Sequence, residues 1–396
     1  MRISQRLKRV KPSATFAVSA KGMELKAQGR KIISLSVGEP DFGTPAHICE
    51  AAKAAIDAGF TRYTQEPGIP ELRAAVAGYF KTHYGVEAAP ACAIVTNGGK
   101  QSLYNLLQCL LDPGDEVLIP APYWVSYPAM VLLADGVPVE VPAPAARGFK
   151  VTPEDLDRAC TDRTRVLIFN SPSNPTGAHD TRAEQDPLAD WAVARGVFVI
   201  SDEIYDRLVY APAEPVSLAG WWKKHPESFA IVNGLAKTFA MTGWRVGYTL
   251  AHPDLVKAMG KLQGQSTSNV CSISQKAVVA ALTGPVGCVA EMCAAFARRR
   301  DLAMEIVGSW KRAVCPRPDG AFYVFPDISA CYGGKFKDSA EACTMLLEEA
   351  GVAAVPGAAF GDDACVRFSY ALDDESLAKA LDRSEEHTSE LQSRGL

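Results

Sequence analysis

The sequence has no CxxC pair and no histidine spacing that would complete one, although it carries 11 cysteines among 396 residues. An odd, dispersed set of this kind predicts reduced, mostly buried thiols in a cytoplasmic protein, with no zinc or other metal site. There is no run of roughly 20 apolar residues, so no membrane span is expected. The basic start from Met1 to Lys11 is not followed by an apolar stretch and does not read as a signal peptide. With 41 Lys and Arg against 45 Asp and Glu, the net charge of −4 leaves no basic footprint, and nucleic acid is not an expected partner. Neither a GxGxxG turn nor a Walker loop occurs, which argues against a nicotinamide enzyme or a nucleoside-triphosphate site. There is also no internal repeat and no low-complexity linker.

What is present is ordinary for a globular protein: 48% hydrophobic and 22% charged residues. The length suits two domains at roughly 100–200 residues each. Short apolar runs alternate with helical stretches, which predicts an α/β fold with a mainly parallel sheet. Thr44 is placed to cap a helix opening at Pro45, with Ile48, Ala52 and Ile56 on one face and Gly59 past its end. Pro70 opens another, with Leu72, Val76 and Phe80 at helical spacing. Four strands stand out: Ala93–Thr96, Val117–Ile119, Val166–Phe169 and Val197–Ile200. Ligands gather beyond the carboxyl ends of strands in open α/β sheets, so the residues that follow matter most.

After the last strand comes Ser201-Asp202-Glu203-Ile204-Tyr205. A carboxylate there, with a phenol three residues on, suits a site for a cationic nitrogen; a helix-capping aspartate is the alternative. After the third strand, Asn170-Ser171-Pro172-Ser173-Asn174-Pro175-Thr176-Gly177 is a shaped loop, and Asn174 before Pro175 invites a cis peptide. Asn97-Gly98-Gly99-Lys100 follows the first strand and precedes a helix with Leu103, Leu106, Leu107 and Leu110. A glycine pair at a helix N-terminus can meet a phosphate, or can be a plain turn. The stretch Gly234–Gly247 places Lys237 among small residues, with Arg245 eight positions on. That pattern fits an aldehyde cofactor bearing a phosphate: the amine needs close approach and a depressed pKa, and the arginine offers a fork of donors.

The Gly234–Gly247 stretch resembles the class I aminotransferase lysine signature at every constrained position. Further motifs follow in that family's order: Gly38-Glu39-Pro40-Asp41-Phe42, Tyr63, Gly98-Gly99-Lys100, Pro122-Tyr123-Trp124, Asn174–Gly177, Asp202–Tyr205, Gly320-Ala321-Phe322-Tyr323 and Arg367-Phe368-Ser369-Tyr370. The resemblance reaches to about Asp382 and is to the bacterial aspartate (aspartate/prephenate) aminotransferase subgroup. It implies a fold type I transferase using pyridoxal 5′-phosphate, assembled as a homodimer with its active site at the subunit interface. Its substrates would be amino acids and 2-oxo acids.

The same resemblance assigns roles. Lys237 would hold the cofactor as a Schiff base and act as general acid and base. Asp202 would pair with the ring nitrogen, and Tyr205 and Asn174 with the ring's phenolic oxygen. Trp124 would stack on the ring. Arg245 and the backbone at Gly99 and Lys100 would bind the phosphate, and Tyr63 that of the neighbouring subunit. Arg367 would clamp the substrate α-carboxylate, with Gly38 closing over it. Lys100 would meet the second carboxylate of a dicarboxylic substrate, or merely add charge near the phosphate. Lys11, in Val10-Lys11-Pro12-Ser13-Ala14-Thr15, matches members that take prephenate, or is a solvated basic arm. Ala236 departs from relatives with serine there, which puts one hydroxyl contact in doubt.

The expected domains are an arm and part of the small domain over 1–45, a large cofactor domain over 46–284 and a small domain over 285–382. In the last, a helical stretch is expected to end at Arg298-Arg299-Arg300-Asp301, followed by Gly320–Phe325, a helix near Ala340–Glu349 and Cys365–Tyr370. The apolar stripe begun by Leu377 and Leu381 stops at Ser384. The string from Arg383 to Ser393 resembles a translated sequencing-library adapter, so 383–396 is read as a foreign tail interrupting a helix. The expected reaction is transfer of the aspartate amino group to 2-oxoglutarate, with aspartate/prephenate aminotransferase as the alternative. A β-lyase or cyclopropane-forming synthase is a third reading, and a regulator borrowing the fold a fourth. The last would need a DNA-binding domain, for which no room precedes Lys11.

Overall fold

The computed structural model describes residues 1–12 and 14–389, with Ala14, Phe16, Thr388 and Ser389 as backbone only. Ser13 of the arm motif and residues 390–396 of the adapter-like string lie outside the described residues.

The strands are β1 (Ile33–Ser34), β2 (Ala93–Thr96), β3 (Glu116–Ala121), β4 (Val137–Pro142), β5 (Thr164–Asn170), β6 (Phe198–Asp202), β7 (Phe229–Gly234), β8 (Gly247–Leu250), β9 (Tyr323–Val324), β10 (Val352–Ala353), β11 (Val355–Pro356) and β12 (Val366–Ser369). β2 to β8 form one sheet in the order β2-β8-β7-β6-β5-β3-β4. β8 runs antiparallel to β2 and β7, and every other neighbouring pair is parallel. β5 shows why its sequence is continuously apolar. Leu167 and Phe169 join the hydrophobic cluster on one face, Val166 and Ile168 the cluster on the other. A strand covered on both faces has no polar side to show.

On one face, helix Ser272–Thr283 packs against helices Ala46–Asp57 and Pro70–Tyr84. A second, smaller assembly is built on antiparallel β11-β12-β9 and on β1 paired in parallel with β10, Ile33 beside Val352. The N-terminal segment thereby joins the C-terminal part. Helix Gly287–Ser309 packs along helix Asp374–Ser389 around a separate core containing Phe296, Phe322, Leu377 and Leu381. No single helix among the described residues is long and apolar enough to cross a membrane.

Several local expectations are corrected. Thr44 does not cap the helix at Ala46. Its hydroxyl donates to the Ala240 carbonyl at 3.0 Å and accepts from Trp244 Nε1 at 3.0 Å. Ile48 and Ala52 are buried, but Ile56 is exposed and Ala55 takes its place inward. The helix expected to end at Asp301 runs from Gly287 to Ser309, because Arg299 and Arg300 are buried and paired rather than solvated. The helix from Asp374 continues to Ser389, with Ser384 buried and its hydroxyl donating to Ala380 O at 2.8 Å. A short hydroxyl satisfied by its own helix replaces the apolar residue there. Finally, only four cysteines are buried, namely Cys92, Cys331, Cys343 and Cys365; Cys271 is exposed, and all are free.

Candidate active site

The sheet explains why distant residues meet. β2, β3, β5, β6 and β7 all point their carboxyl ends to one edge, where Gly98, Trp124, Asn174, Tyr205 and Lys237 follow. β8 runs the other way, so its beginning lies at that edge. The register sets Gly247 beside both Thr96 and Gly234, which delivers Arg245 next to Gly98 and Lys237. Gly247 has to be glycine: a Cβ there would sit 2.4 Å from Gly99 N. Gly98 has φ +84°, and a Cβ on it would lie 2.8 Å from Arg245 Nη2. The arginine therefore lies directly against the start of helix Gly99–Leu110, whose first amides have no intrahelical acceptor. Arg245 Nη1 also donates to Thr242 O at 2.8 Å. Backbone amides, a helix N-terminus and a guanidinium here form a cradle for an anion.

Asp202 ends β6 beside Asn170 of β5. It is buried, accepting from Tyr127 Oη at 2.7 Å and from Ile204 N at 3.3 Å. Burial pushes its pKa up to about 6 against those two bonds. Asn170 Nδ2 donates to the Asp202 carbonyl at 2.8 Å and so fixes the strand end. Lys237, in the short helix Leu235–Thr238 after β7, donates to the carbonyl of Gly38. Burial lowers its pKa to about 8, partly offset by the Glu39 carboxylate. Glu39 is held by Thr242 Oγ1 at 2.7 Å. A buried amine with so low a pKa is deprotonated far more often near neutral pH than an ordinary lysine and can act as a nucleophile.

Arg367 on β12 is 2% exposed. Its Nη1 donates to Asn174 Oδ1 at 2.9 Å and Nη2 to Ser36 O at 2.7 Å, while Nε is buried without a partner. The guanidinium centre lies 4.6 Å from the Tyr323 ring and 4.9 Å from that of Phe360. Tyr323 Oη shares a hydrogen bond with Tyr205 Oη at 2.8 Å. Lys100 Nζ stands 4.7 Å over the Trp124 ring, its pKa lowered by burial and by Arg245.

Gly38, Gly99, Lys100, Trp124, Asn174, Asp202, Tyr205, Lys237, Arg245 and Arg367 all line one cavity of about 620 Å³. Two anticipated residues do not: Tyr63 is 91% exposed, and Lys11 is exposed and outside the lining. The Asn174-Pro175 bond is trans; the cis bonds of the described residues are Ala121-Pro122, Ser171-Pro172 and Ala211-Pro212. Sequence reasoning gave no role to Tyr127, Tyr323, Glu39 or Thr242, which also line the cavity. Tyr323 and Glu39 sat inside quoted motifs and could have been followed; Tyr127 carried no signal.

Residues 30–383 match the family model for aminotransferase class I and II. The chain is 50% identical over 388 residues to the aspartate/prephenate aminotransferase of Cereibacter sphaeroides, covering 96% of this chain and 97% of that one. Its structure is similar to an aspartate aminotransferase from Thermus thermophilus with maleate, at TM-score 0.92 and 45% identity, over 98% of this chain and 100% of the other. It is also similar to an aspartate aminotransferase from Rhizobium meliloti, at TM-score 0.94 and 38% identity, covering 98% and 99%.

Proposed function

We propose, for a chain that belongs to the class I and II aminotransferase family, that this enzyme transfers the amino group of L-aspartate to 2-oxoglutarate with pyridoxal 5′-phosphate as cofactor. One observation carries the dicarboxylic substrate: two cations, Arg367 and Lys100, line the cavity that Lys237 faces. Each Arg367 Nη spends one of its two hydrogens on Asn174 or Ser36, so the guanidinium retains donors for a carboxylate. Lys100 offers a point charge for a second one.

The residues fit the cofactor. Asp202 is a buried acid whose hydrogen bonds, among the described residues, come from a phenol and an amide. A protonated ring nitrogen would supply the cation that such a carboxylate needs. The cradle of Gly98, Gly99 and Arg245 suits a phosphate. When bound, the cofactor supplies an electron-poor ring that takes up the electron pair left at the substrate Cα.

The chain's own residues would do the rest. Asp202 would keep the proton on the ring nitrogen. Asn174, whose Oδ1 is engaged by Arg367, would offer its amide hydrogens to the ring's phenolic oxygen, together with Tyr205. Trp124 would cover the ring. Lys237 Nζ would take the proton from the substrate Cα and deliver it at the cofactor's C4′. Tyr63, exposed on a single chain, supports a homodimer in which it reaches the neighbouring site. Residues 46–284, bearing the seven-stranded sheet, would form the cofactor domain, and 285–382 with the N-terminal segment the smaller one.

The test is direct. Purified enzyme with L-aspartate and 2-oxoglutarate is expected to yield oxaloacetate and glutamate in equal amounts, and no glutamate would refute the proposal. The name of the Cereibacter relative favours prephenate as a second acceptor. Amination of prephenate at a rate comparable to that of oxaloacetate would support that reading, and no detectable turnover would end it.

A further inference from the structure

Arg299 lies on helix Gly287–Ser309 and is 7% exposed, yet it belongs to no part of the reaction described above. Its side chain forks onto Asp41, with Nη1 to Oδ1 at 2.7 Å and Nη2 to Oδ2 at 2.9 Å. Nε reaches Asp374 of helix Asp374–Ser389 at 3.4 Å, where Arg298 is also bound. The guanidinium centre stands 5.4 Å from the Phe42 ring and 5.7 Å from that of Phe296, which meet edge to face at 5.6 Å. Phe296 in turn stacks on Phe322 at 5.2 Å, and the Phe322 ring lies 5.8 Å from Lys237 Nζ.

Asp41 belongs to the segment 37–42, of which Val37, Gly38 and Glu39 line the cavity. Gly38 accepts from Lys237, and Glu39 is tied to Thr242. β1 anchors the chain up to Ser34, and Arg367 holds the carbonyl of Ser36. Beyond Ser36 the segment crosses the cavity wall and is caught at its far end by the Arg299 fork and the Phe42 contact. A buried guanidinium loses heavily if unpaired, so the paired arrangement is strongly favoured. A bidentate fork fixes the plane of the carboxylate as well as its distance.

We propose that Arg299 is a positioning residue for the reaction: through its fork on Asp41 it fixes the segment 37–42 against the cavity, and so sets how tightly the dicarboxylic substrate is held. The proposal rests on the aminotransferase reading above. It separates Arg299 from its neighbours Arg298, whose fork lies on Asp374 and not on Asp41, and Arg300, which stands 4.9 Å over the Tyr210 ring.

The variant to test is Asp41→Asn, at a side chain 30% exposed, which keeps the shape and one acceptor of the carboxylate but removes its charge and the second acceptor of the fork. In the cofactor-loaded enzyme the KM for aspartate is expected to rise about tenfold, the loss of one charge-assisted bond, with kcat within about twofold. Arg299→Lys, which keeps the charge but not the fork, is expected to fall between wild type and Asp41→Asn. Independently of turnover, the backbone amide order parameters of Gly38, Glu39 and Phe42 are expected to fall in both variants, while those in the strands β5 and β6 stay unchanged. An unchanged KM, or order parameters unaltered in the segment or lowered equally throughout the fold, would overturn the proposal by making the pair merely structural. If the wild type turns over no aspartate, the functional reading fails, and the order parameters still decide whether Arg299 holds the segment.

Discussion

Replacing Asp202 with asparagine is expected to make the cofactor-free protein more stable and the cofactor harder to retain. In the unfolded chain this acid loses its proton at the ordinary value of 3.8, whereas in the folded protein it does so at about 6, because burial disfavours its charge. Between those values the folded state holds more protons than the unfolded one, so stability falls as pH rises through the window. Above pH 6 the penalty is complete. A gap of about two pH units corresponds to about 3 kcal/mol. Asparagine removes the charge, keeps one acceptor for the Tyr127 hydroxyl and loses the bond from Ile204 N, which returns about 1 kcal/mol. The net gain is about 2 kcal/mol at pH 8, shrinking as pH falls through 6 toward 4. Urea unfolding of the cofactor-free protein and the variant at pH 8 and pH 5 measures it. The same variant loses the anionic partner of the ring nitrogen, so its dissociation constant for the cofactor is expected to rise tenfold or more, about 1.4 kcal/mol. A variant less stable than wild type at pH 8, or a gain equal at both pH values, would refute the assignment of Asp202 as a charge held in waiting for a cation.

Two other substitutions probe separate parts of the cavity. Lys100→Ser is expected to lower kcat/KM for aspartate by about 10- to 100-fold while changing that for alanine by less than about threefold, because only the dicarboxylic substrate loses a charge partner. Equal losses for both would assign Lys100 to the phosphate instead. Gly98→Ala combines a left-handed backbone, costing about 1 kcal/mol, with a methyl group pressed onto Arg245, and steady-state titration is expected to show weaker cofactor binding with unchanged substrate discrimination.

Much of this site was legible because its residues are local to strand ends. Asp202, Asn174 and Gly99 each follow a strand that periodicity alone located, and the switch to loop residues marks where ligands gather. Arg245 was legible only as a neighbour of Lys237 in sequence; the reason it reaches Gly98 is the single antiparallel strand, which no local pattern announces. The partners that set the electrostatics were hidden for the same reason. Tyr127 enters from a helix 75 residues before Asp202, and Ser36 meets Arg367 across 331 residues. Boundaries failed where a polar residue was buried with a partner. Arg299 looked like part of a helix end and is helix interior, and Ser384 looked like a stop and is a buried, self-satisfied turn. Thr44 had the right identity and position for a cap, but tertiary partners claimed its hydroxyl.

The account depends most on Lys237 being the amine that holds the cofactor, and an absorption spectrum measures this directly. Wild-type protein loaded with pyridoxal phosphate is expected to show a visible band that aspartate bleaches and 2-oxoglutarate restores. Lys237→Ala is expected to bind the cofactor through the same cradle but to show the spectrum of the free aldehyde, with neither response. A variant that keeps the band and its response to aspartate, or a wild type that gains no band with added cofactor, would contradict the central claim.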